Sequence, residues 1–341
     1  MNKKKLKVGG LFSGVGGIEL GFKKSGFELL WANEIDKNCC ITYKKNFFHT
    51  LYEEDIKFLV KRDLQPVDVL CGGFPCQPFS IAGYRKGFDD NRGNVFFEII
   101  KLINSLKEKP RVLFLENVKN FKTHDKGNTF KKVVSEINNL GYSVFSDVLN
   151  TCDFTDIPQN RERTFLICFK DEINWESSKN KSSMSYKFSK LFPPKMVEKN
   201  KSVREFLEKK EVSENFYYRQ DKYMYPELRK TMKSSETLYQ WRRQYVRENK
   251  SKVCPTLTAN MGTGGHNVPL IKTKYGIRKL TPKECFGFQG FPKDYTFPEI
   301  SNGQLYKQAG NSVSVPVIKR ISENIMTVLK GGKCPENNLL F

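Results

Sequence analysis

The sequence predicts an α/β fold, built on a mostly parallel sheet with crossover helices and joined by a second, irregular segment. Three observations predict it. From Leu6 to Phe169 short β-rich runs alternate with helical stretches. A glycine turn, Phe12-Ser13-Gly14-Val15-Gly16-Gly17, stands where the first such run gives way to the first helical stretch. The alternation stops at Asp171, and an apolar helical face returns only near the C-terminus.

Val8 to Phe12 reads as the first strand and Ile18 to Lys24 as the helix after the turn. Phe27 to Ala32, Val67 to Cys71 and Val112 to Leu115 are the next strands, with a helix over Val95 to Leu106 that Pro110 separates from its strand. Phe130 to Leu140 forms an amphipathic helix closed by Gly141, before strands at Tyr142 to Leu149 and Thr164 to Phe169. Trp175 to Lys190, rich in Ser, Lys and Asn, reads as a linker, and residues 191–275 show no clear period. Val317, Ile318, Ile321, Ile325, Val328 and Leu329 share one helical face, ended by Gly331-Gly332.

The chain has 341 residues, and its 58 Lys+Arg against 37 Asp+Glu leave 58 − 37 = +21, which points to a polyanionic partner. Hydrophobic residues at 38% and 27 Phe exclude a disordered, solvated chain. Nine scattered cysteines fit a reducing compartment, and Cys71 and Cys76 without a second close pair argue against a zinc site, so no metal is expected. No apolar run approaches the roughly 20 residues of a membrane span. The expectation is a soluble, unprocessed, intracellular protein.

The glycine turn lets a ligand approach the backbone, or else it merely reverses the chain. Eighteen residues after Gly16, Glu34 ends the second strand, where a carboxylate can accept from ribose hydroxyls. Together they suggest an adenosine-containing cofactor. Glu19 occupies the third glycine position of the dinucleotide pattern and would oppose a pyrophosphate, which favours a cofactor without phosphates.

Gly73-Phe74-Pro75-Cys76-Gln77-Pro78-Phe79-Ser80 follows the third predicted strand, on the edge where open α/β sheets bind ligands. Two prolines restrict the backbone around Cys76, as a positioned nucleophile requires, although a strand-end cysteine is also commonly an inert buried residue. Leu115-Glu116-Asn117-Val118 puts a carboxyl group on the same edge, able to protonate a substrate nitrogen while a thiolate attacks a neighbouring carbon. Arg161 and Arg163 alternate in Gln159-Asn160-Arg161-Glu162-Arg163, which predicts both on one face, either for a phosphate or base carbonyl or as a solvated edge.

In order, these residues resemble the DNA (cytosine-5) methyltransferases. The likeness includes Asn33-Glu34-Ile35-Asp36, Asp55-Ile56 and Asp90-Asn91-Arg92-Gly93. It resumes at Arg278-Lys279-Leu280-Thr281-Pro282-Lys283-Glu284-Cys285, Gln289-Gly290-Phe291-Pro292 and Gln308-Ala309-Gly310-Asn311-Ser312-Val313, covering residues 8–170 and 278–330.

The resemblance implies a Rossmann-like S-adenosylmethionine-dependent methyltransferase domain plus a smaller, irregular target-recognition domain. Residues 1–190 and 308–330 would form the first, 191–307 the second with its hinge, and 331–341 a tail. S-adenosyl-L-methionine would be bound by Phe12, Gly14, Val15 and Gly17, with Glu34 on the ribose. Asp55 would meet the adenine amino group between Ile35 and Ile56, and Pro75, Val95, Asn311 and Ser312 would complete the pocket. Many relatives carry an aromatic residue where Ile35 stands, which implies weaker stacking.

The implied reaction adds the Cys76 thiolate to C6 of a flipped-out cytosine in duplex DNA. Glu116 would assist at N3, and Arg163, supported by Arg161, would hold the C2 carbonyl oxygen. Residues after Cys76 resemble a mobile catalytic loop, with Ser80, Arg85 and Arg92 as DNA contacts, against the plainer reading of a surface loop. In the recognition segment, Arg242, Arg243 and Thr256 are the candidate DNA contacts, against a basic surface that holds phosphates without specificity.

The expected enzyme is therefore a sequence-specific DNA (cytosine-5-)-methyltransferase of a restriction-modification system. It would act as a monomer, with a possible companion endonuclease sharing its site without a stable complex. A tRNA cytosine-5 methyltransferase and a non-catalytic DNA-binding protein are the alternatives. A dehydrogenase is weakest, since Glu19 and Cys76 would have no role in it.

Overall fold

A computed structural model describes residues 5–74, 95–173, 175, 181–196, 201–242, 244–261 and 268–333. The chain divides into two compact units, one of Met1–Leu149, Glu162–Pro194 and Ile318–Phe341, the other of Asn150–Arg161 and Lys195–Val317.

The first unit begins with β1 (Lys7–Leu11), α1 (Gly17–Lys24), β2 (Glu28–Asn33), α2 (Lys37–Lys44), β3 (Thr50–Tyr52) and α3 (Ile56–Leu59). It continues with β4 (Val69–Gly73), α4 (Val95–Ser105), β5 (Val112–Val118), α5 (Asn128–Asn139) and β6 (Tyr142–Asn150). β7 (Glu162–Lys170) and α7 (Lys181–Leu191) follow, while the short helix α6 (Thr151–Phe154) that precedes β7 in sequence belongs to the second unit. The sheet order is β3-β2-β1-β4-β5-β7-β6.

Neighbouring strands from β3 to β5 run parallel, whereas β7 is antiparallel to β5, with Val118 opposite Arg163. One sheet edge therefore collects the carboxyl ends of the parallel strands and the amino end of β7. Open α/β sheets bind ligands on that edge. Both faces are apolar, as a buried parallel sheet requires. Leu113 and Leu115 join a core with Trp31, Leu102, Ile103 and Ile137, while Phe114 meets Phe22 of α1 edge-on at 5.3 Å.

The second unit holds α8 (Tyr225–Thr231), β8 (Tyr239–Arg242), β9 (Tyr245–Glu248), β10 (Leu270–Thr273), β11 (Gly276–Lys279), α9 (Pro282–Phe288) and α10 (Asn302–Asn311). Its strands pair antiparallel in the order β11-β10-β8-β9. Leu228 of α8 joins Tyr239, Trp241, Val246, Leu270 and Ile277 in a small core. Arg278 and Glu284 form a buried ion pair at 2.6 Å, and the same carboxylate accepts from the Thr281 N–H in a capping box at the start of α9.

The last helix, α11 (Val315–Leu329), packs its Ile318 end on α1. A Cβ on Gly21 would stand 2.5 Å from Ile318 Cβ, so glycine permits that approach. Ser25 donates to the Lys319 carbonyl at 3.0 Å.

Three features depart from expectation. Residues 181–191 form a helix instead of a linker, because Met184, Phe188 and Leu191 supply a buried i, i+4, i+7 stripe that the Ser/Lys composition hides. The aperiodic recognition stretch contains a sheet. The second unit includes residues 150–161 and 308–317, which differs from the expected span of 191–307. Among the described residues, no helix is long and apolar enough to cross a membrane.

Candidate active site

Phe12, Gly14 and Gly16 all have positive φ (52°, 55° and 78°), which folds the chain tightly between β1 and α1. Three of the loop's amides have partners within the protein: Ser13 donates to the Asn33 carbonyl, Gly14 to Glu34 Oε2 at 2.7 Å, and Gly16 to the Ser13 carbonyl. These three N–H groups are therefore already engaged. What the loop offers is room, since a Cβ placed on Gly14 would meet nothing within 4 Å. Val15 and Gly17 are buried behind it, and Phe12 packs its ring on the core.

Glu34 is fixed by three backbone donors: Gly14 on Oε2, and Ile35 and Asp36 on Oε1 at 2.8 and 2.7 Å. A carboxylate has about four acceptor positions, so capacity remains for a hydroxyl. Ile35 beside it is 63% exposed. Asp55 caps α3 through Oδ1, which accepts from the Lys57 N–H at 3.0 Å. Ile56, the first residue of α3, is buried in the core cluster. Val95 opens α4 and is partly exposed.

Glu19 is not a charge facing the ligand. It lies under the loop, 1% exposed, with Oε1 at 2.1 Å from where a Gly10 Cβ would be. Burial pushes its pKa up to about 7, so its opposition to a phosphate is weaker than the sequence suggests.

At the ends of β4, β5 and β7 the pairing register brings Gly73 beside Glu116 and sets Val118 opposite Arg163. Arg163 Nε lies 3.0 Å from Glu116 Oε1, a nearly buried ion pair. A Cβ on Gly73 would come within 3.1 Å of Glu116 Oε2, so the glycine makes space for the carboxylate. Asn117, 2% exposed, donates to the Phe74 carbonyl at 3.0 Å and so braces the chain just before Pro75-Cys76. Sequence reasoning singled out Asn117 only as part of a motif. Its bracing role depends on the pairing of β4 with β5.

Arg161 departs from expectation. It precedes β7, so strand alternation does not govern it. Its guanidinium, 2% exposed, donates to the carbonyls of Leu257 (2.8 Å), Gly310 (3.1 Å) and Ser312. Asn311 is exposed and Ser312 buried, at the end of α10. Partly exposed Thr256 donates its hydroxyl to the Asn160 carbonyl at 2.6 Å. Arg242 is exposed on β8, and its Nη2 donates to Gln240 Oε1 at 3.0 Å. Pro75, Cys76, Ser80, Arg85, Arg92 and Arg243 lie outside the described residues.

The sequence model of the C-5 cytosine-specific DNA methylases matches residues 6–327. The chain is 53% identical over 323 residues to the Type II methyltransferase M.Bsp6I of Bacillus sp. (strain RFL6), covering 94% of this chain and 98% of that protein. It is 37% identical over 328 residues to the Type II methyltransferase M.HhaI of Haemophilus parahaemolyticus, covering 92% of each. A crystal structure of the S. pombe Dnmt2 methyltransferase superposes with a TM-score of 0.70 at 17% identity, over 96% of this chain and 99% of that one, which shows a shared fold.

Proposed function

The chain belongs to the C-5 cytosine-specific DNA methylase family, and from that premise we propose how its residues divide the reaction. It is a DNA (cytosine-5-)-methyltransferase, and the proposed methyl donor is S-adenosyl-L-methionine. The room beside Gly14, the anchored Glu34 carboxylate and the exposed Ile35 fit an adenosine group. Glu34 would take the ribose hydroxyls and Asp55 the adenine amino group, with Ile35 against the ring. Phe12, Val95, Pro75, Asn311 and Ser312 would border the donor, and Val15 and Gly17 would shape the loop from behind. When bound, this cofactor supplies a methyl group on a positively charged sulfur.

The chain's own groups prepare the acceptor. The Cys76 thiolate adds to C6 of the cytosine, and the electron pair pushed to C5 makes that carbon nucleophilic. Glu116 donates a proton or hydrogen bond at N3, the atom that gains charge as C6 is attacked. Arg163 holds Glu116 in place and offers its remaining donors to the C2 carbonyl oxygen. After C5 takes the methyl group, loss of the C5 proton returns an electron pair that expels Cys76. These atoms are inaccessible in a base stack, so the cytosine must leave it, at a cost of a few kcal/mol.

The Glu116–Arg163 pair, set against Gly73 on the strand that leads to Cys76, carries this reading. DNA is the substrate, and Ser80, Arg85, Arg92, Arg242, Arg243 and Thr256 are the proposed contacts. We further propose a cytoplasmic monomer within a restriction-modification system, sharing its site with a separate endonuclease. Incubation with labelled donor and mixed duplexes tests the assignment: label should appear on C5 of cytosine in DNA. Preferential labelling of tRNA would overturn the choice of polymer, and full-rate transfer by Cys76→Ser would overturn the nucleophile.

A further inference from the structure

Arg161 joins two segments that the proposed function assigns to different ligands. Residues 158–161 run beside 254–257: Cys254 N–H donates to the Pro158 carbonyl at 2.6 Å, and Asn160 N–H to the Cys254 carbonyl at 2.8 Å. Thr256 Oγ1 then donates to the Asn160 carbonyl at 2.6 Å. From this paired strip the Arg161 guanidinium reaches the Leu257 carbonyl with one terminal nitrogen, and the Gly310 and Ser312 carbonyls with the other.

Gly310 belongs to the last turn of α10 and Ser312 caps it. Carbonyls there have no partner within the helix, and the helix dipole favours a cation at that end. Close packing ties the same two segments independently: a Cβ on Gly310 would fall 2.1 Å from the Thr258 carbonyl oxygen. Arg161 thus holds Leu257, next to Thr256, and the backbone on both sides of Asn311 on one planar, rigid fork.

We infer that Arg161 is a positioning residue that couples DNA binding to cofactor binding, by making the Thr256–Thr258 segment and the Gly310–Ser312 turn shift together. The inference rests on the proposed assignment of Thr256 to DNA and of Asn311 and Ser312 to the cofactor. A displacement of either segment strains the hydrogen bonds that hold the other, so each ligand selects the arrangement the other prefers. Such coupling is reciprocal, and commonly amounts to a factor of about 5–150 in affinity. Lysine cannot replace the fork, because its ammonium is a compact point with tetrahedral donors.

The test measures S-adenosylhomocysteine affinity of the full chain by calorimetry, with and without an unmethylated duplex whose target cytosine has been mapped by bisulfite sequencing. For the wild type the duplex is expected to tighten binding by about tenfold or more, within the usual range of coupling. Arg161→Lys should bring that ratio close to one. A purely structural role would weaken both affinities and leave the ratio as it was.

An unchanged ratio in Arg161→Lys, or no tightening in the wild type, overturns the inference. Should Arg161→Lys fail to fold, Thr256→Val decides, since it releases the strip from the Asn160 carbonyl and should lower the ratio; an unchanged ratio there also overturns it. Asn311→Ala separates the underlying assignment, because it should weaken S-adenosylhomocysteine binding without DNA. If it does not, the cofactor assignment of that turn fails rather than the link.

Discussion

Glu19→Gln isolates the energetic consequence of placing an acid beneath the glycine loop. The carboxyl is 1% exposed, and burial raises its pKa from 4.5 to about 7. In the unfolded chain the group ionises near the ordinary carboxylate value, whereas in the fold it keeps its proton until about pH 7. Its contribution to stability is therefore fully present below about pH 4.5 and is lost as pH rises through about 7.

The total loss is about 2.5 pH units at 1.36 kcal/mol each, roughly 3 kcal/mol, of which about 2–3 kcal/mol falls between pH 5 and 8. Glutamine keeps the shape and cannot ionise. Urea denaturation at pH 5, 6, 7 and 8 should show the mutant gaining on the wild type by that amount across the range. A stability gap that stays flat with pH would mean that Glu19 titrates as an exposed acid, and would refute the argument.

Gly73→Ala presses a methyl group on Glu116 Oε2 at 3.1 Å, so kcat should fall by about ten- to a hundredfold while stability changes by under about 1 kcal/mol; steady-state kinetics and thermal melting check this together. Arg278→Ala strands the buried Glu284 carboxylate and should cost about 3–5 kcal/mol, measured by urea denaturation. DNA affinity should fall steeply with salt, with a slope in log–log form of about −0.9 per phosphate neutralised; an affinity insensitive to salt would contradict a phosphate-binding role for the excess of +21.

Much of the first unit was legible because its strands are buried on both faces and read as apolar runs between glycine and proline punctuation. The short β3 at Thr50–Tyr52 was not, since one exposed and two partly exposed residues carry no period. In the second unit β8 and β9 place Trp241 and Val246 in a core while Arg242, Tyr245 and Arg247 stay outside, too short an alternation to stand out from a basic, aromatic background. Among the candidate site residues, Glu34, Glu116 and Arg163 sit where strand ends predict. Arg161 does not, because its partners, Leu257, Gly310 and Ser312, lie far away in sequence. The bracing of Phe74 by Asn117 likewise follows from strand register, which a single sequence leaves open.

The proposed function turns on covalent attack by Cys76 on cytosine C6, followed by loss of the C5 proton. A duplex bearing 5-fluorocytosine at the mapped target tests it most directly, because fluorine cannot leave as a proton and the sulfur cannot then be expelled. With the methyl donor present, covalent attack by Cys76 should leave a protein–DNA complex that survives denaturation, maps by mass spectrometry to the peptide containing Cys76, and is absent from Cys76→Ser. A link to a different residue, or ordinary turnover on the fluorinated duplex with no link at all, would contradict it.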